Sequence, residues 1–306
     1  MTPSWRPAVS LDFYAAQSPF SDPGDLAHRY TGLPRDPAGL ARTVRDLLIH
    51  RLEGELLGYA IPTDRLHNDA ETRYTDDILR ILVARDDAPL TRRRAVEDRF
   101  VGVCRDFTLL HCSFLRHVGV PARLRSGFAD YFGTDGFHGD HVVTEYWDTE
   151  RGWLLADAQL ADPGITRHWN ADFDPMDVPR DRFLVAGQAW RAVREGGADP
   201  RTFGLHPPEQ GPMFGERFVA GNVRLDLAAL NKVETLLWDV WGEDGEFGEP
   251  LSEASRELYD RVSLVAGDDV SFDGARKLFT EDDVLRTPKT VLCMAPYNGT
   301  SRVTLR

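Results

Sequence analysis

The strongest constraint on the fold is a helical repeat that stops and gives way to a repeat of two. Apolar residues recur at helical spacing at positions 107, 110, 114, 115 and 118. Gly119 and Pro121 then end the helix. Segments 122–128, 141–147 and 153–158 alternate with the period of strands. A helix followed by successive strands with short loops predicts an antiparallel sheet packed on that helix, an α+β arrangement.

The chain of 306 residues has room for more than this unit, since domains average about 150 residues. Further helices are predicted over 37–53, around 74–82, and over 225–241 and 253–264, and a last strand over 291–294. We interpret residues 1–90 as an N-terminal helical part, 91–169 as the core, and 170–306 as a partly helical C-terminal extension or subdomain.

The charge balance excludes some partners. The chain has 36 Lys and Arg against 49 Asp and Glu, a formal charge of −13. Such a field repels phosphate backbones and anionic lipids, so neither nucleic acid nor a membrane is an expected partner. The first ten residues lack the pattern of a secretory signal, and no apolar run approaches the ~18 residues of a membrane span. We therefore expect a cytoplasmic protein.

Three cysteines are too few for a disulfide framework, which leaves a thiol available for chemistry. Cys104 lies in the first turn of the predicted helix, where the positive end of the helix dipole favours the nucleophilic thiolate. The free N–H groups of that turn are suited to an oxyanion formed on attack at a carbonyl. A buried structural cysteine is the alternative interpretation. Cys112, eight residues later, is expected to pack in the core.

A histidine and an aspartate follow in the predicted strands. His141 begins one strand, and Asp157 lies near the end of the next. If these strands are neighbours, the imidazole has the Cys104 sulfur on one side and the carboxylate on the other. A base-activated nucleophile needs this arrangement.

Four collinear motifs resemble the transglutaminase-like core of bacterial proteins. They are GVCRDFTLLHCSFLRHVGVPAR (102–123), SGF (126–128), HVVTEYW (141–147) and GWLLAD (152–157). The resemblance implies a papain-like cysteine-enzyme fold with Cys104 as nucleophile, His141 as general base and acid, and Asp157 as the orienting carboxylate. Two departures from the family pattern bear on substrate preference. Val142-Val143 replaces a small residue followed by Trp, and Ala158-Gln159 replaces Pro-Thr.

Three further residues are weaker candidates for substrate contact. They are His138, Val143 and Trp238. His138 and His141 lack the third ligand and the spacing of a zinc site, so no metal is expected, nor any cofactor. Trp238 and Trp241, at helical spacing, are either core residues or a substrate wall. The second oxyanion donor has no clear candidate, with Tyr59, Asn68 and Tyr74 as possibilities.

These patterns predict cysteine-dependent acyl transfer at an amide or thioester carbonyl, through a thioester on Cys104. Water would resolve the thioester in an amidase or peptidase, and an amine in a transglutaminase-like enzyme. The expected partners are a peptide or small-molecule amide and, for transfer, an amine acceptor. The alternative is a catalytically silent transglutaminase-like module that binds a peptide or an amine.

Overall fold

The structure is a computed structural model that describes residues 7–169, 171–206, 211–242 and 250–306. Within these residues the helices are α1 (Pro7–Ala15), α2 (Pro37–Leu47), α3 (Thr63–Asn68), α4 (Thr75–Arg85), α5 (Cys104–His117), α6 (Pro163–His168), α7 (Ala186–Arg194), α8 (Glu216–Leu230), α9 (Glu253–Val265) and α10 (Phe272–Glu281). The strands are β1 (Leu48–His50), β2 (Phe100–Gly102), β3 (Ala122–Ala129), β4 (His138–Asp148), β5 (Gly152–Ala156), β6 (Phe183–Val185), β7 (Phe203–Leu205), β8 (Met213–Phe214), β9 (Asp239–Val240), β10 (Thr290–Ala295) and β11 (Gly299–Thr304).

The fold is α+β, and its largest sheet has the strand order β6-β3-β4-β7-β8, with β5 also paired to β4. The predicted strands β3, β4 and β5 form consecutive antiparallel pairs. Strand β7 pairs with β4 in parallel over only two residues, at the start of β4. The predicted antiparallel sheet is therefore confirmed, and later strands extend it.

Helix α5 covers one face of this sheet, as the sequence predicts. Its apolar side chains at positions 107, 110, 114 and 115 are all buried in the main core. The Thr108 hydroxyl donates to the Val142 carbonyl of β4 at 2.8 Å. This contact links the helix that begins at Cys104 to the strand that contains His141.

Buried ion pairs join the sheet to the C-terminal part of the chain. Glu145 of β4 accepts from Arg123 at 2.7 Å, from Arg125 at 2.9 Å and from Arg180 at 2.7 Å. Arg125 also pairs with Asp226 of α8 at 3.1 Å. Burial alone would raise the pKa of Glu145, but the three arginines outweigh it and lower the pKa. The charge network holds β3, β4 and α8 in one arrangement.

Two predicted helices are too long. The helix predicted over 37–53 ends at Leu47, because Leu48–His50 pairs in parallel with Phe100–Gly102 as β1. The helix predicted over 225–241 begins earlier, at Glu216, and ends at Leu230. Lys232 adopts a positive φ of 63°, which stops helical continuation. In both cases tertiary pairing or turn conformation overrides the local apolar spacing.

The residues after 170 share the core of the preceding part. Strands β6, β7 and β8 belong to the main sheet, and side chains of α7, α8 and α9 lie in the same buried cluster as α5. The division of the chain at residues 90 and 169 stays a prediction.

No helix in the described ranges is long and apolar enough to cross a membrane. Residues 1–6, which contain part of the segment read above for a secretory signal, lie outside the described residues. The cytoplasmic location stays a prediction.

Candidate active site

Cys104 is the first residue of α5, directly after β2 and the N-cap Val103. The Asp106 carboxylate fixes this turn, because it accepts from the Val103 N–H at 2.9 Å and from Arg105 at 3.0 Å. Gly102 is required here, since a Cβ at this position would lie 2.9 Å from the Asp106 carboxylate. The sulfur is therefore held at the positive end of a helix of 14 residues.

His141 and Asp157 face each other across neighbouring strands. His141 Nε2 lies 2.8 Å from Asp157 Oδ2. Asp157 directly follows β5 and accepts from the Gln159 N–H at 3.0 Å, which caps a short 3-10 turn. The β4–β5 pairing thus brings together two residues that are sixteen positions apart.

The site stabilises the charged form of His141. Burial lowers the pKa of His141, but the Asp157 carboxylate and the Cys104 sulfur outweigh it and raise the pKa to about 10. Cys104 acts on the ring through a side-chain hydrogen bond as well as through its charge. Because Nε2 faces Asp157, Nδ1 is the ring nitrogen left for the sulfur. The three residues therefore form a continuous series of contacts, in which Asp157 and Cys104 favour the imidazolium form of His141.

Aromatic side chains surround the His141 ring. The rings of Phe132, Tyr131 and Phe183 lie 4.7, 6.0 and 6.3 Å from the His141 ring. Trp169 packs edge-on against Phe132 at 4.9 Å. Cys104 is 5% exposed and His141 is 2% exposed. Bulk water thus has little access to the site as it stands.

Tyr131 is a site residue that sequence reasoning missed. Its hydroxyl donates to Asp157 Oδ2 at 3.0 Å, beside the bond to His141. Burial and the Asp157 charge raise the pKa of Tyr131, so the hydroxyl stays protonated and continues to donate. It follows β3 in a short 3-10 turn, and no periodicity marks that position.

His50 is a second residue that was missed, because its segment was predicted to be helical. It lies in β1 opposite Gly102, two residues before Cys104. Its Nδ1 accepts from the Leu52 N–H at 3.2 Å. Burial, Arg51 and His141 lower the pKa of His50 well below its usual range. A neutral imidazole with Nε2–H as its donor therefore lies near the charged His141.

The weaker candidates are placed differently. His138 stacks on Phe203 at 5.0 Å and, three residues before His141 on the same strand, points to the opposite face. Val143 is fully buried in the core cluster below β4, which gives it a packing role in this structure. Trp238 is half-buried in a turn rather than a helix, and its Nε1 donates to Glu71 at 3.3 Å.

The three candidate oxyanion donors have other partners. The Tyr59 hydroxyl accepts from Arg65 at 3.2 Å, and the Asn68 amide donates to the Asp64 carbonyl at 2.7 Å. The Tyr74 hydroxyl accepts the backbone N–H of the terminal Arg306 at 2.7 Å. In the described ranges, no group of three or more His, Cys, Asp or Glu side chains has the arrangement of a metal site.

The region of the sequence that contains Cys104, His141 and Asp157 matches a known protein family. Residues 69–158 match the model of the transglutaminase-like superfamily. This region is a transglutaminase-like core. The match supports a cysteine-based enzyme in general.

The transglutaminase-like core was also compared with curated proteins and with solved structures. No curated protein matches the chain. Among solved structures, the chain is similar to a protein called a "putative cysteine protease" from Cytophaga hutchinsonii, with 16% identity and a TM-score of 0.33. The similarity covers 52% of this chain and 46% of that protein, so the chain spans about half of that protein's length.

Proposed function

We propose that the protein catalyses acyl transfer at an amide or thioester carbonyl, with Cys104 as nucleophile. The observation that carries this proposal is the series of contacts from the Cys104 thiol at the start of α5 through His141 to Asp157. The distance between His141 Nε2 and Asp157 Oδ2 is 2.8 Å. Nucleophile, base and orienting group are the parts that covalent catalysis by a thiol needs. Tyr131 serves as a positioning residue, because its hydroxyl holds the Asp157 carboxylate.

The first half-reaction forms a thioester. The Cys104 thiolate attacks the carbonyl carbon, and the carbonyl oxygen becomes an oxyanion near the N–H groups at the start of α5. The His141 imidazolium then gives its proton to the leaving amine as the C–N bond breaks. Asp157 holds the ring in the orientation that this transfer requires and stabilises the imidazolium before it.

The second half-reaction returns the enzyme to its starting state. His141, now neutral, removes a proton from water or from an amine, which attacks the thioester carbonyl. The C–S bond breaks, and the thiolate and imidazolium form again. Water yields the acid, and an amine yields a new amide. Both routes use the same residues, so the acceptor depends on what reaches the aromatic enclosure.

An intact-mass assay tests the nucleophile. The full chain is incubated with a panel of amides and thioesters, quenched in acid, and digested to locate any acyl group. We expect an acyl adduct on Cys104, and none in Cys104→Ala. Cys112→Ala is the matched control and should retain the adduct, because Cys112 is fully buried eight residues along the same helix. Full turnover in Cys104→Ala would contradict the proposal.

Hydroxylamine distinguishes the two acceptors once an adduct is found. It is a small amine that captures a thioester as a hydroxamate. In an amidase or peptidase, acid remains the main product at millimolar hydroxylamine. In a transglutaminase-like enzyme, hydroxamate dominates and acid is minor.

The burial of the site favours a second candidate, a silent module that binds a peptide or an amine. A nucleophile that is only 5% exposed must become more accessible before any substrate reaches it. Reactivity with iodoacetamide at pH 6.5 separates the candidates, because an ordinary thiol is largely protonated there. Rapid alkylation of Cys104 supports the enzyme. Alkylation no faster than that of free cysteine supports the silent module.

A further inference from the structure

We infer that Arg51 forms a carboxylate-binding subsite beside Cys104, so that the acyl-transfer substrate carries a carboxylate near its reacting carbonyl. The inference rests on the proposed function and specifies its substrate class. It depends on where Arg51 lies, on what its guanidinium contacts, and on the hydrogen bond that it lacks.

The Arg51 backbone lies beside the segment that leads into the helix of the nucleophile. Its backbone N–H donates to the Gly102 carbonyl at 2.9 Å, which continues the β1–β2 pairing up to the residue before the N-cap of α5. The ring of His50, its neighbour in sequence, feels the charges of both Arg51 and His141. The Arg51 guanidinium and the catalytic imidazole therefore act on the same ring.

Two aromatic rings lie beside the Arg51 guanidinium. Its carbon lies 5.6 Å from the centre of the Trp238 ring and 5.7 Å from that of Tyr297. Tyr297 is supported from behind by His67, whose ring stacks on it at 4.6 Å with an angle of 7°. A cation–π contact with a ring satisfies none of the guanidinium N–H donors as a hydrogen bond to an oxygen would, so these donors remain for another group.

Those donors lack a protein acceptor. Arg51 Nε is buried without a hydrogen-bond partner, and Arg51 makes no ion pair with any residue in the described ranges. The nearby carboxylates are otherwise engaged. Glu53 pairs with Arg45 at 2.6 Å, and Glu71 accepts from Trp238. An unpaired buried donor of a charged group is costly, which marks Arg51 as a group that awaits a ligand.

The chemistry of the guanidinium specifies the ligand. Nε and one terminal nitrogen form a fork that matches the two oxygens of a carboxylate. A single guanidinium balances one negative charge. The chain's net charge of −13 disfavours a dianionic phosphate more strongly than a carboxylate. A substrate with a carboxylate a few bonds from the reacting carbonyl therefore fits best.

Alkylating reagents with and without a carboxylate test the subsite without a known substrate. The probes are N-iodoacetyl derivatives of glycine, β-alanine and 4-aminobutyrate, each compared with its own primary amide. Cys104 displaces iodide from each and forms a thioether. Rate constants are measured by intact mass, and each acid-to-amide ratio is divided by the ratio for free cysteine. We expect a corrected ratio above one, with a maximum at one spacer length.

Three variants locate the effect. Arg51→Gln should lower the best ratio by about tenfold, the order expected for one charge-assisted hydrogen bond. Arg51→Lys keeps the charge without the planar fork, so its ratio should lie between that of the parent protein and that of Arg51→Gln. Arg35→Gln removes an equal charge from an exposed position in the loop before α2 and should leave the ratio unchanged. Because each acid is compared with its own amide within one variant, a general change in the reactivity of Cys104 cancels from the ratio.

The outcomes separate this inference from the proposed function. If no probe labels Cys104 faster than free cysteine, the proposed function fails. If the amides label Cys104 rapidly but no acid is preferred at any spacer length, the nucleophile stands and the subsite is wrong. A preference that persists in Arg51→Gln also overturns the subsite, since the attraction then comes from His141 or another cation.

Discussion

Replacement of Asp157 by Asn should expose how far the reactivity of Cys104 depends on a charged His141. The substitution keeps the shape of the side chain but removes the charge that accepts from His141 at 2.8 Å. A hydrogen bond to a charged group contributes about 1.5–3 kcal/mol. At 1.36 kcal/mol per pKa unit, the pKa of His141 should fall by about one to two units. The charge that His141 places beside the Cys104 sulfur is then lost at a lower pH.

The assay is the rate of Cys104 alkylation by iodoacetamide across the pH range from 5 to 11. At pH 6.5 the His141 ring is charged in both proteins, since a pKa lowered from about 10 by one to two units still lies above 6.5, and the two rates should agree. The change in rate that accompanies loss of the ring's charge should lie about one to two pH units lower in Asp157→Asn than in the parent protein. Asp174→Asn, at an exposed aspartate that caps the Met176 N–H, is the matched control and should change nothing.

The substitution should also change how the free energy of unfolding depends on pH. The pKa of His141 is higher in the folded chain, about 10, than the ordinary value of 6.5. The charged ring therefore stabilises the fold fully below pH 6.5, and this contribution is lost as the pH rises towards 10. In urea unfolding, Asp157→Asn should lose less free energy of unfolding between pH 6.5 and pH 10 than the parent protein loses. An unchanged alkylation profile together with an unchanged window would refute the argument that Asp157 charges His141.

Other predictions concern the fold around the site. Glu145→Gln should destabilise the fold by about 3–5 kcal/mol in urea unfolding, because buried arginines lose their counter-charge. The parent should lose part of this stabilisation as the pH falls below 4.5, since the pKa of Glu145 is lowered in the fold; stability that is flat down to pH 2 would contradict this. Gly127→Ala should destabilise by about 1–3 kcal/mol or more, because its Cβ would lie 2.2 Å from a carbonyl of β6. Gly221→Ala, where a Cβ meets nothing within 4 Å, should instead stabilise helix α8 slightly, and urea unfolding measures both glycine variants. Burial raises the pKa of Cys112 to about 12 and that of Cys293 to about 11, so peptide mapping should find iodoacetamide on neither at pH 6.5.

Much of the core could be predicted because its signals are local. Helix α5 has a buried apolar face and a glycine stop, and β3, β4 and β5 follow with short turns, so each element is specified by its own residues. The order of Cys104, His141 and Asp157 along a helix and two adjacent strands then limits how they meet. What the sequence lacks is a local sign for Tyr131, which lies in a turn of three residues and acts only through Asp157.

The errors occur where distant segments decide local structure. Residues 48–50 continue the spacing of α2, yet pairing with residues 100–102 makes them a strand. Trp238 and Trp241 have helical spacing, yet the helix before them ends at Leu230. A backbone that pairs with a remote strand gains hydrogen bonds and burial that local propensity does not include.

The sequence by itself determined the helix that presents Cys104, the antiparallel strands after it and the order of the three candidate residues, because helical and strand periods are properties of neighbouring positions. The tertiary structure alone decided what surrounds them. Strand β1 brings His50 and Arg51 to Gly102, and the turn around Trp238 and the loop after β10 supply the rings that lie beside Arg51. Such contacts join residues from 51 to 246 positions apart, and the chain specifies them only through its packing as a whole.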